Sequence, residues 1–258
     1  MKPAALALSL FVLGISPASA GMTASQLQEV AVSPPPGARI PMQSEWRAEI
    51  GSSMTLGEAL AGRPALLIFA DYTCKTLCGP ILGFVVDALG KSGLEPGDYR
   101  LVVLGLDPKD GPREAAAMKK ERIADAAVAS ATVLLTADEG SIRQVAEALG
   151  YRFRYDAEHD QFAHPAAVMV LTRDGRLTRV LSGLGIDAND FRLALTEAGE
   201  GRIGRFTDRL RLFCYGFDPS VGIYTLTIYR WLSIATVLTV ITLAAAIAWM
   251  SVRSRNAS

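Results

Sequence analysis

The chain has no excess of charge of either sign: 26 lysines and arginines are matched by 26 aspartates and glutamates. Without a strong overall field, binding to nucleic acid or along acidic lipid is disfavoured, and no nucleic-acid partner is expected. No GxxxxGK[ST] run occurs and no GxGxxG follows a strand to open a helix, so there is no dinucleotide fingerprint and phosphate-cradling functions lose support. Internal repeats and low-complexity tracts are missing too, which leaves one sizeable core as the expectation for 258 residues that are 50% hydrophobic. Histidine and cysteine are scarce, with two and three copies.

What is present begins with two apolar ends. Residues 1–20, MKPAALALSLFVLGISPASA, combine Lys2, an apolar stretch from Ala4 to Ile15 and a small-residue ending at Ala20. They read as a secretory signal cleaved after Ala20, because the apolar stretch falls short of the about 20 residues a spanning helix needs. An uncleaved anchor is the alternative. Near the other end, Trp231 to Met250 carries no charge and reads as a transmembrane helix, with Tyr229, Trp231 and Trp249 as interfacial aromatics. Arg253 and Arg255 follow it and assign residues 251–258 to the cytoplasm; Arg230 on the opposite flank weakens that asymmetry, but the signal demands the same orientation. A single-pass protein of the inner (plasma) membrane is expected, its soluble domain on the periplasmic side in a Gram-negative cell.

Between these ends, residues 21–45 form a leader whose VSPPPGARIP run should be extended and poorly packed. Residues 46–200 alternate short strands and helices. Strand Ala65 to Ala70, helix Gly79 to Lys91, strand Tyr99 to Gly105 and helix Pro112 to Arg122 come first. Strand Thr132 to Leu135 and helix Glu139 to Leu149 follow, then strands Ala166 to Leu171 and Leu177 to Leu181 around the turn TRDG, and helix Asp187 to Ala198. The expectation is an α/β domain with a central mixed sheet and helices on both faces. Residues 201–230, with Arg202, Arg205, Arg209 and Arg211 among aromatics, read as a solvated tether, with lipid or partner contact as the alternative.

Cys74 and Cys78 fall where the first core strand turns into a helix, the place where thioredoxin-like folds keep their chemistry. A spacing of four puts both sulfurs on one face of a helical first turn, and a helix N-terminus favours thiolates. Such a pair suits a disulfide or a soft metal. Cys214, which is left over if the other two pair, reads as structural or without a role, with intermolecular pairing or contact with a membrane partner as the alternatives. His164 immediately precedes the strand from Ala166; in a thioredoxin-like sheet that loop lies against the cysteine turn. It reads either as a hydrogen-bonded loop histidine or as a third ligand. His159, flanked by Glu158 and Asp160, reads as a solvated turn residue. Two sulfurs and one nitrogen suit Cu(I), whereas zinc ordinarily wants a fourth ligand.

The runs DYTCKTLCGP, LVVLGLDPKDGP and FAHPAAVMVLTRDGRL, in that order, resemble the SCO/SenC family of copper-binding assembly proteins. The resemblance spans roughly Ile40 to Ala198, and the tail FCYGFDPSVGIYTLTIYRW with its following apolar segment is similar to a branch anchored at the C-terminus. It implies a thioredoxin-like domain with copper held by Cys74, Cys78 and His164, and Asp107 either orienting a ligand or capping its turn. It also implies a role in building the binuclear copper centre of cytochrome c oxidase, with subunit II as partner. Two positions depart from the family pattern: Lys75 and Gly79 stand where prolines are familiar. Lys75 adds a positive charge that favours thiolates.

Two functions therefore stand side by side. One is a membrane-tethered copper chaperone, which is not an enzyme. The other is a thiol-disulfide oxidoreductase in which Cys74 and Cys78 are the redox-active pair, reducing the oxidase subunit or another exported protein. Dedicated oxidoreductases of this fold usually use CxxC rather than the longer spacing seen here, and the arginine and threonine arrangement of a peroxidase is not identifiable.

Overall fold

A computed structural model describes residues 30–74, 78–182, 187–199, 215–218, 223–226 and 236–243. β1 (Ala31–Val32), β2 (Glu45–Ala48), β3 (Ser53–Thr55) and α1 (Leu56–Leu60) lead to β4 (Ala65–Ala70). Next come α2 (Cys78–Lys91), β5 (Arg100–Gly105), α3 (Pro112–Arg122), α4 (Ala126–Ser130), β6 (Thr132–Thr136) and α5 (Glu139–Ala148). β7 (Tyr151–Arg152), β8 (Arg154–Asp156), β9 (Gln161–Ala163), β10 (Ala167–Leu171), β11 (Leu177–Ser182) and α6 (Ala188–Ala198) complete the domain, and β12 (Tyr215–Asp218) pairs with β13 (Ile223–Leu226) beyond it.

Seven strands form the central sheet in the order β11-β10-β4-β5-β6-β2-β3. β4, β5 and β6 are parallel, while β10 runs antiparallel to β4 with Met169 opposite Leu67, so the sheet is mixed as expected. Every residue of β4 is buried because the strand is covered on both sides. Leu66 and Ile68 pack with Leu82 and Val85 of α2 and Phe191 of α6; Leu67 and Phe69 pack on the other face with Leu56 of α1 and Val145 of α5. Full burial of each such side chain contributes about 1.5–3 kcal/mol, so continuous apolar runs favour the middle of a two-faced sheet. Side-chain oxygens of Asp125, Asp138 and Asp187 accept from backbone N–H groups at the starts of α4, α5 and α6, which sets where those helices begin.

The boundaries read from the sequence shift by about one residue at element ends, where assignments are least sharp. Larger differences lie at the N-terminal side. The leader packs more tightly than its prolines imply: Ile40 is 1% exposed, and β1 pairs with β7. That pairing depends on Gly150, whose φ of +62° and missing side chain admit Ser33; a Cβ there would lie 2.0 Å from the Ser33 carbonyl oxygen. The expected tether contains the β12–β13 hairpin, whose aromatic and β-branched residues suit a strand pair.

The signal (1–20), Lys75, Cys214 and the tail (251–258) lie outside the described residues. Of the expected membrane segment Trp231 to Met250, residues 236–243 are described; they are helical, with Val237, Leu238, Val240, Ile241 and Leu243 exposed. Among the described residues no helix is long and apolar enough to cross a membrane.

Candidate functional site

The chain leaves β4 at Asp71 and reaches Cys74 within a turn, at the carboxyl end of the parallel strands where α/β sheets open a crevice. Asp71 is fully buried and joins two distant pieces of chain. One carboxylate oxygen accepts from the Thr73 N–H and hydroxyl at 3.1 and 3.2 Å; the other accepts from the Phe162 N–H at 3.1 Å. Tyr72 anchors the turn from below: its hydroxyl lies 2.9 Å from the carbonyl oxygens of Val103 and Leu135 and accepts from the Leu135 N–H at 3.1 Å. Gly105 makes room for that ring, since a Cβ would meet Tyr72 at 3.0 Å. Cys74 is therefore presented on a turn fixed to β4, β5 and β6. Its N–H donates to the Asp71 carbonyl at 3.3 Å, and its sulfur lies 3.5 Å from Gln161 Oε1.

Cys78 is the first residue of α2. The strand–turn–helix placement read from the sequence is thus observed, and the helix N-terminus favours a thiolate there. The Cys78 side chain lies outside the described residues.

Asp107 follows β5 and is 4% exposed. It caps its own turn, accepting from the Lys109 N–H at 2.8 Å, and its other oxygen lies 3.4 Å from Lys109 Nζ. Asp110, three residues beyond Asp107, accepts from the Tyr72 N–H at 3.0 Å. Burial pushes the Asp110 carboxyl up to about 6, and the neighbouring Asp71, Asp107 and Glu114 carboxylates add to the rise, against the Tyr72 hydrogen bond. Cys74 and Asp107 share a pocket of about 460 Å³ with Thr73, Asp110, His159 and Gln161.

His164 arrives from the other side. β10 runs antiparallel beside β4, so the loop before β10 emerges at the edge where β4 ends. Nδ1 of His164 lies 2.9 Å from the Tyr151 hydroxyl and 3.2 Å from the Pro165 carbonyl oxygen; Tyr151 donates to that same carbonyl at 2.9 Å. With Tyr151 donating to Pro165, the imidazole is the donor to Tyr151, which puts the proton on Nδ1 and the ring lone pair on Nε2. Tyr151 in turn stacks on Phe69 of β4, with ring centroids 4.4 Å apart. Burial lowers the His164 pKa, and the Pro165 carbonyl and Asp71 oppose that only in part, so the neutral ring is favoured.

The donor chemistry fits a soft metal: a thiol beside an open pocket, a second cysteine at a helix N-terminus, and a neutral imidazole with its lone pair on Nε2. The structure brings Cys74 and Asp107 to one pocket and sets His164 at the same end of the sheet, outside the lining of that pocket. Among the described residues no three His, Cys, Asp or Glu side chains are gathered as a metal site. His159 is exposed, as expected, but it lines the Cys74 pocket. Sequence reasoning missed Asp71, Tyr151 and Gln161. Gln161 and Tyr151 carried no local signal, while Asp71, as a charged residue ending an apolar strand, could have been suspected.

The SCO1/SenC family model matches residues 50–194, more than half of the chain. No curated protein sequence matches it. Solved structures do: a candidate electron-transfer protein from Aquifex aeolicus VF5 superposes with a TM-score of 0.57 at 21% identity, covering 64% of this chain and 95% of its own. BsSco, a member of the Sco family of cytochrome c oxidase assembly proteins, gives 0.53 at 17% identity, covering 65% and 96%. Copper-bound ScoI of Arabidopsis thaliana gives 0.51 at 16% identity, covering 63% and 96%. At these identities the likeness concerns the fold, a mixed α/β thioredoxin-like architecture.

Proposed function

Because the chain belongs to the SCO1/SenC family, we propose that it is a membrane-tethered copper chaperone that helps assemble the binuclear copper centre of cytochrome c oxidase. Copper is its cargo, held by the sulfurs of Cys74 and Cys78 and by His164, and passed to cysteines of oxidase subunit II by ligand exchange. The single observation that carries this reading is the His164 environment. Tyr151 and Pro165 hold Nδ1 and so orient the ring, in the loop that leads into β10, the strand beside the one that ends at the cysteines; this supports Nε2 as the metal-binding nitrogen. A small, soft, low-coordinate donor set suits Cu(I), and transfer requires the open side that the Cys74 pocket offers. Copper binding needs both cysteines reduced, so joining them in a disulfide releases the metal and gives redox control.

The apolar signal and the segment Trp231 to Met250 support tethering to the inner (plasma) membrane with the domain on the periplasmic side. Titrating the detergent-solubilised chain with Cu(I), reduced and then oxidised, tests the proposal. Tight binding is expected when reduced and little when oxidised. A reduced protein that binds no copper would leave the thiol-disulfide oxidoreductase, favoured by the access the pocket gives to the Cys74 sulfur.

A further inference from the structure

The hairpin β8–β9 reaches the Cys74 turn from the far side of the pocket. Its attachments are specific. The Phe162 N–H donates to buried Asp71. At the tip, Lys109 Nζ pairs with Asp160, the Tyr155 hydroxyl donates to the same carboxylate oxygen at 2.5 Å, and Lys109 Nζ sits 5.5 Å from the Tyr155 ring centroid. Register decides which side chain faces the sulfur. Phe162 lies opposite Tyr155 and packs with Phe153 and Tyr155 in an aromatic cleft, so its neighbour Gln161 points to the other face, where Oε1 lies 3.5 Å from the Cys74 sulfur.

We propose that Gln161 is a positioning residue for Cys74, and that the Lys109–Asp160 pair latches the hairpin that carries it. The proposal rests on Cys74 being the reactive sulfur. A carboxamide suits both states of that sulfur: its oxygen accepts from the S–H, as here, and its NH₂ donates to the thiolate that holds a metal. Leucine offers neither interaction, and glutamate offers only the first. Lys109 extends from the Asp107 turn, so the latch also joins the two loops that bound the pocket.

Two measurements on the full-length chain test this. The first is the rate of iodoacetamide alkylation of Cys74 at fixed pH, in a background with Cys78→Ser and Cys214→Ser. The second is Cu(I) affinity, by chelator competition with all cysteines present. Gln161→Leu should speed alkylation several-fold and weaken Cu(I) by about tenfold, the usual loss when a group supporting a metal ligand is removed. Gln161→Glu should weaken Cu(I) comparably while leaving alkylation slow. Lys109→Met should follow Gln161→Leu at smaller amplitude, and Lys109→Arg should behave as wild type. Because the Lys109–Asp160 pair is exposed, its loss should leave the unfolding midpoint nearly unchanged. If Leu and Glu at position 161 shift both readouts alike, or Lys109→Met lowers the midpoint as much as it lowers copper affinity, the latch is overturned in favour of a structural role. Unchanged alkylation in Gln161→Leu, with wild-type copper binding intact, sinks the latch and spares the chaperone reading. A wild-type chain that binds no Cu(I) but shows the Gln161 effect on alkylation does the reverse.

Discussion

His159 and His164 flank β9, and their surroundings are opposed. His159 is exposed, and its Nδ1 lies 2.8 Å from the Asp156 carboxylate, whose hydrogen bond and charge raise its pKa. His164 is half-buried, its pKa is lowered by burial, and its Nδ1 is committed to Tyr151 and Pro165. Yet it is His159 that lines the Cys74 pocket. Nearness to a thiol is therefore a poor guide to a ligand. A raised pKa makes the proton compete harder with a metal for the ring nitrogen, so the histidine whose neutral form is favoured is the better donor although it lies deeper.

The contrast predicts that His164→Ala abolishes measurable Cu(I) binding and oxidase maturation while leaving disulfide reduction intact. His159→Ala should leave the chelator-competition titration as in wild type. Retained copper binding in His164→Ala would collapse the distinction between the two rings. Tyr151→Phe should sharpen it, weakening Cu(I) by about tenfold because the imidazole loses the group that orients it. The same variant should cost about 1 kcal/mol of stability in urea unfolding, since it removes the hydroxyl that also serves the Pro165 carbonyl.

The pH dependence of stability separates the buried groups more gently. The folded-state pKa of His164 is depressed, so its contribution is present above about pH 6.5, where the unfolded imidazole is also neutral, and is lost as pH falls through the folded value. Asp110 works the other way. Its carboxyl is raised to about 6, so its contribution is complete below the unfolded value and is lost as pH rises through about 6. In Asp110→Asn, urea midpoints between about pH 4 and 7 should rise relative to wild type as pH increases. A parallel pH profile would show that burial of Asp110 carries no cost. The smallest effect belongs to His159→Gln, which should leave the unfolding midpoint unchanged at pH 7 because the Asp156 pair is solvated.

The central strands were readable because β4, β5 and β10 are apolar runs buried on both faces, and aspartate caps open α4 and α5 between them. Of the two roles open to Asp107 in the run LVVLGLDPKDGP, the turn cap is the one observed. The β8–β9 hairpin was not legible. Its strands are three residues each within RYDAEHDQFA, too short and too charged for alternation to register. Tyr151 and Gln161 matter only through what they touch, and Gln161 meets Cys74 across 87 positions of sequence. No local pattern encodes such a pairing. The exposed prolines of the leader fit the loose reading, but Ile40 beyond them is buried, its N–H bonded to the Gly175 carbonyl in the turn between β10 and β11.

The Asp71–Phe162 hydrogen bond spans 91 positions, and that length has a consequence for how the protein is made. Contacts of such sequence separation reward the chain only after the entropy of closing a long loop has been met, so they belong to the late stages of folding. The anchors of the cysteine turn span 31 and 63 positions, so the turn closes shorter loops than the hairpin that docks on it. On the proposed ligand set, copper that arrives before docking would meet two sulfurs without their nitrogen partner. Under the proposed function, one buried carboxylate would then couple completion of the fold to completion of the copper site.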